Sequence, residues 1–133
     1  MTAKFIAACM GAIALFACAA PLPAHHSTAM FEWGKEGPPL KGTIFSVAWT
    51  QPHVWIVFYV VNAHGGVDQY GIEGMSPSYL NRAGWSKHTL NPGDKVTLIL
   101  YPLKDGRKGG FLAKAILADG KVMQHAPPPS GNR

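Results

Sequence analysis

His53-Val54-Trp55-Ile56-Val57-Phe58-Tyr59-Val60-Val61 is a run of nine residues in which all but the first are β-branched or aromatic, and Pro52 stands at its head. Such a run fits the half-buried pleated surface of a β-strand. Side chains alternate along a strand, so His53, Trp55, Val57 and Tyr59 share one face, and Val54, Ile56, Phe58 and Val60 share the other. Upstream, Gly42 to Trp49 is a second β-rich run, separated by Thr50-Gln51-Pro52. Downstream, Asn62-Ala63-His64-Gly65-Gly66 is a turn, and Val67 to Glu73 makes a third strand. These three strands predict an antiparallel meander.

Ser76 is a candidate N-cap with Pro77 at the first helical position, and Gly84 is a stop, which predicts a helix of two turns at most. Asp94 to Leu100 and Phe111 to Leu117 read as two further strands around Asp105-Gly106 and Gly109-Gly110. Asp119-Gly120 turns into a short Lys121-Val122-Met123 piece. Three strands, a short helix and two strands give a mainly β fold: a small five-stranded OB-like barrel with one helix between strands 3 and 4. Closure would also protect the sheet edges. An open β-sandwich is the alternative. Residues 40–124 form the barrel, 25–39 an extended arm outside the core, and 125–133 a disordered tail rich in proline.

The front of the chain reads as a secretory signal peptide, residues 1–24. Lys4 precedes the apolar run from Phe5 to Ala20, and Pro21-Leu22-Pro23-Ala24 ends in a small residue. The run is 16 residues long, short of the roughly 20 that span a bilayer, and no other segment approaches that length, so no membrane span remains after cleavage. Lipoprotein processing at Cys18 is an alternative, as is a retained anchor. Export implies an oxidising compartment. Cys9 and Cys18 both fall inside the signal, so the mature chain has no disulfide and depends on a packed core. Of 12 Lys and Arg, loss of Lys4 leaves 11 against 7 acids. These are scattered along the chain, a solvated surface rather than a nucleic-acid footprint.

Cleavage after Ala24 would make His25 the N-terminus, followed by His26 and Ser27. A terminal amine and two imidazoles suit a late first-row ion such as Cu(II), which favours four N or O donors. His53, held at a strand end by Pro52, is the candidate to complete the set with His25 and His26. His64 in its turn, His88 in a loop and His125 in the tail are expected to be exposed and idle. Asp94, Asp105 and Asp119 stand beside turns, where carboxylates cap backbone amides. Glu73 ends an apolar strand and needs a partner; Arg82 on the short helix is the expected one, a structural ion pair tying helix to sheet. No Gly-x-Ser-x-Gly elbow, phosphate-cradling loop or Cys-based zinc motif is present. A second class of function remains open. Trp55 and Tyr59 fall where OB-type barrels hold ligands, so an envelope interaction module binding a glycan or peptide is the alternative. A copper-dependent oxidase is a weaker one, because a terminal histidine plus an internal one is the ligand set of copper mono-oxygenases, and nothing else here resembles those enzymes.

Several motifs occur in series: His25-His26-Ser27, Phe31, Gly42-Thr43, Trp49-Thr50-Gln51-Pro52-His53-Val54-Trp55, Glu73, Leu80-Asn81-Arg82-Ala83-Gly84-Trp85 and Pro92-Gly93-Asp94-Lys95-Val96. Together they resemble a family of small exported bacterial proteins catalogued only as a domain of unknown function. The family's Asn-Pro-His is Gln51-Pro52-His53 here, which leaves the histidine in place. The resemblance implies a compact periplasmic β domain and carries no activity with it. The residues thus predict a non-catalytic periplasmic binding protein whose cofactor, if any, is copper.

Overall fold

The computed structural model describes residues 28–125. The expected signal peptide, His25, His26 and the chain after His125 lie outside them. Six strands and one helix follow the 3-10 turn Thr28–Met30: β1 (Leu40–Ala48), β2 (Trp55–Val61), β3 (Val67–Glu73), α1 (Pro77–Arg82), β4 (Lys95–Pro102), β5 (Gly109–Ile116) and β6 (Val122–Gln124). β1, β2 and β3 form the antiparallel meander, and β1 also pairs antiparallel with β4, which pairs with β5. The ring closes where β5 runs parallel to β3, with Gly71, Ile72 and Glu73 opposite Gly109, Gly110 and Phe111. The result is a closed five-stranded mixed barrel of OB-like order, with α1 between β3 and β4. Short β6 pairs with the far half of β5.

Closure explains two glycines. A Cβ on Gly109 would lie 2.5 Å from the Gly71 carbonyl oxygen, and one on Gly110 would lie 2.5 Å from that of Tyr101. The strands meet closely here because neither carries a side chain. The sequence reading treated this pair as part of the hairpin loop; both sit at the start of β5.

The interior follows the alternation of β2. Ile56 and Phe58 point inward with Ile44, Ile72, Leu98, Leu100 and Leu112, all nearly inaccessible to solvent. Helix α1 brings Leu80 into this core. Its Ser76 hydroxyl accepts the Tyr79 N–H, and Pro77 fills the first turn. At the other end Gly84 adopts φ +85°, the Gly84 and Trp85 N–H groups donate to Asn81 and Leu80 carbonyls, and Trp85 packs in the same core as Leu80. This cap turns the chain back so that the Trp85 indole N–H donates to the Gln124 carbonyl at 2.7 Å.

Two expectations are corrected. The arm packs on the barrel through Phe31 and Trp33, while Gly34 to Glu36, Pro38 and Pro39 stay exposed. Phe31 bridges to Leu103, Glu32 N–H donates to the Pro102 carbonyl, and Gly37 N–H donates to that of Leu100. Phe31 and Trp33 then cover the outer face of β4 and β5, in a second cluster with Ile99, Tyr101 and Phe111. Strands apolar on both faces require such a cover, because their outer side chains would otherwise meet water. The tail, likewise, does not begin at 125: His125 N–H donates to the Ala113 carbonyl, continuing β6, and the residue is 1 % exposed.

Candidate functional site

The loop Thr50-Gln51-Pro52-His53 carries the chain from β1 to β2. Gln51 donates through its side-chain amide to the Ser78 hydroxyl at 2.9 Å, tying the loop to α1. Beyond it, Val54 N–H donates to the Met75 carbonyl and Gly74 N–H to that of Val54, so His53 is anchored against the end of β3. Its Nδ1 lies 2.8 Å from the Gly74 carbonyl oxygen and 3.0 Å from Oε1 of Glu73. A carbonyl oxygen can only accept, so Nδ1 carries a hydrogen, and in the uncharged form of the ring the lone pair falls on Nε2. The carboxylate is mostly buried, 12 % exposed, and the imidazole is 41 % exposed. This is the arrangement that orients metal-binding histidines: one ring nitrogen donates to a carboxylate or carbonyl while the other is free.

His53 and Glu73 line a cavity of about 450 Å³ with Trp55 and Arg107, and Met30 and Phe31 of the arm form part of its wall. The arm's docking thus brings the chain that leads back to His26 to the edge of this cavity. Among the described residues, no three His, Cys, Asp or Glu side chains converge on a point that could hold a metal ion. A complete ligand set therefore needs donors beyond His53 and Glu73.

The expected ion pair of Glu73 with Arg82 is not formed. Glu73 is turned toward His53, and Arg82 lies exposed in the last turn of α1, making no ion pair among the described residues. The end of β3 faces the loop before β2 rather than the helix surface. Trp55 and Tyr59 do point outward as the alternation requires. Trp55 is 47 % exposed, and Tyr59 packs against exposed Phe45 at a ring separation of 4.9 Å. His64 and His88 are exposed. The turn carboxylates cap as expected: Asp94, Asp105 and Asp119 accept from the backbone N–H groups of Asn91, Arg107 and Lys121.

The family model of DUF6152, a family of unknown function, matches residues 12–113. The chain belongs to this family. Comparison with the curated proteins and with the solved structures found no match. The DUF6152 match spans the double histidine, the loop of His53, α1 and most of β5, and stops short of β6. No helix among the described residues of this DUF6152 chain is long and apolar enough to cross a membrane.

His125, beyond the matched span, is buried rather than exposed in a tail. It is not idle. Its Nε2 accepts the Met75 N–H at 2.8 Å, its ring meets Trp85 edge-on at 5.0 Å, and its Nδ1 is buried with no hydrogen-bond partner among the described residues. Burial pushes the imidazole down to about 3, so the ring is neutral. The signal was the alternation of β6, since Met123 points inward and His125, two residues on, must do the same.

Proposed function

We infer that this chain is an exported, non-catalytic metal-binding protein whose ion is Cu(II) or another late transition metal. His53 would contribute Nε2, His25 its terminal amine and ring, and His26 a ring or amide nitrogen. The observation that carries this reading is the commitment of His53 Nδ1–H to Glu73 and the Gly74 carbonyl, which frees Nε2 for a ligand's role. Chain length supports it as well. His26 is four residues from Met30, which lines the same cavity as His53, and four residues extend up to about 14 Å. The donor set is nitrogen-rich, which suits copper over hard oxygen-seeking ions.

The test is Cu(II) titration of the chain beginning at His25, read by electron paramagnetic resonance. It is run beside His53→Ala and a version with one alanine ahead of His25. A one-to-one tetragonal nitrogen signal, lost in both variants, is the expected result. Equal, weak binding in all three sinks the reading. A second reading rests on exposed Phe45 and Trp55, with half-buried Tyr59, on the outer face of β1 and β2. That surface suits a glycan or peptide, and it is the place to look if copper binding is unspecific.

A further inference from the structure

The Gly74 carbonyl, which accepts from His53, and the Met75 N–H, which donates to His125, are the two ends of one peptide group. The chain of contacts therefore runs imidazole, peptide, imidazole, with bonds of 2.8 Å on either side. We propose that His125 is a positioning residue for His53, acting through the Gly74–Met75 peptide to hold the Nδ1–H tautomer that leaves Nε2 open. The metal part of this proposal rests on the reading of His53 as a ligand; the tautomer part does not.

The physical argument begins with polarisation. A peptide whose N–H is engaged by a good acceptor has a more negative carbonyl oxygen, and a more negative oxygen is a better acceptor for the His53 proton. The effect is reciprocal. A cation on Nε2 of His53 would make its Nδ1–H a stronger donor and would tighten the bond from Met75 to His125. An unpaired donor in a dry site would do none of this.

The surroundings fix the geometry. Gly74 and Met75 are both bonded to the backbone of Val54, so the peptide cannot rotate freely. Gly74 must lack a side chain, because its Cβ would lie 2.5 Å from Nε2 of His125. Phe111 lies within ring-contact range of both imidazoles, with centroids 6.4 Å from His53 and 6.3 Å from His125. Trp85 holds the second ring edge-on. Among the described residues, His125 also leaves its own Nδ1–H buried and unpaired. An apolar residue would fill the same space without that cost, yet it would give Met75 N–H no acceptor. Among those residues, the polar contact its ring makes is the one to the peptide that binds His53.

The test is nitrogen-15 NMR of the ring tautomers in the metal-free protein, comparing the wild type with His125→Phe and His125→Gln. In the wild type His53 is expected as the Nδ1–H form. In H125F, which fills the space but accepts nothing, an Nε2–H population of His53 appears. In H125Q, whose side-chain oxygen can accept from Met75, the wild-type tautomer returns. A folded H125F with an unchanged His53 ring overturns the proposal, as does a shift of equal size in H125Q, which would reduce His125 to packing. Should H125F fail to fold, the wild type decides alone: the absence of a through-hydrogen-bond coupling between the Met75 nitrogen and His125 Nε2 overturns it. Where Cu(II) binds, its affinity in H125F falls about tenfold, at the low end for partners behind a metal ligand. If the tautomer responds and copper does not bind, the metal reading fails and the positioning role stands.

Discussion

Glu73 Oε1 stands 3.0 Å from His53 Nδ1, from the far end of the strand that pairs with the one His53 introduces. The pair joins the two ends of the β2–β3 hairpin on the wall of the cavity. Glu73→Gln keeps an oxygen in place and removes the charge that makes the imidazole a better donor to a metal. Cu(II) affinity is expected to fall about tenfold, as for other partners behind a ligand. Arg82→Ala, on the exposed turn of α1, is expected to leave it unchanged. Calorimetric titration of both variants reads the difference.

Buried, neutral His125 makes stability depend on pH. Its folded pKa, about 3, lies below the unfolded value near 6.5, so the unfolded chain binds the proton more readily. The contribution is present above pH 6.5 and is lost as pH falls from there toward 3. At 1.36 kcal/mol per pKa unit, the loss between pH 6.5 and 5 is about 2 kcal/mol. Asp68 and Asp105, both held below the usual carboxylate range chiefly by hydrogen bonds from Lys108 and from the Arg107 backbone, act only at lower pH. Urea unfolding across this window is expected to show the slope, and H125F to flatten it.

The β4–β5 ladder rests on the missing side chain of Gly110. A Cβ there would sit 2.5 Å from the Tyr101 carbonyl oxygen, on backbone that cannot move without breaking the β4–β5 ladder. Gly110→Ala is expected to cost about 3 kcal/mol, at the high end for overpacking. Denaturant melts measure this, with a midpoint equal to the wild type counting against the account.

Phe31 clamps the arm to β4 and β5. It is 5 % exposed and contacts both Trp33 and Phe111 edge-on. Phe31→Ala is expected to cost about 3 kcal/mol, toward the low end for a buried Phe. It should also free the chain ahead of it. Trypsin should then cut at Lys35 in the variant well before the barrel is digested, and should spare Lys35 in the wild type over the same time.

The barrel was legible because its signals are local and agree. The alternation of β2 separates Ile56 and Phe58 from Trp55 and Tyr59, the cap at Ser76 and Pro77 starts α1, and Gly84 ends it. What was not legible came from contacts between distant parts. Phe31 and Trp33 lie among glycines and prolines, with no period to mark them, and they are buried only because β4 and β5 are apolar on both faces. Glu73 could have met either a helix or a loop, and only the approach of His53 decides between them. His53 itself was found from Pro52 and the strand end, while its free Nε2 follows from bonds to Glu73 and Gly74 that no spacing encodes.

Phe111 meets Phe31 near the start of the described residues, His125 at their end, and His53 between the two in sequence. Both ends of the domain therefore converge on the aromatic ring beside the candidate ligand. A chain cut short before β6, or one whose arm has not yet docked, lacks part of the setting that aims this imidazole. The His53 ring therefore has its full setting only when both ends of the described chain are packed on Phe111.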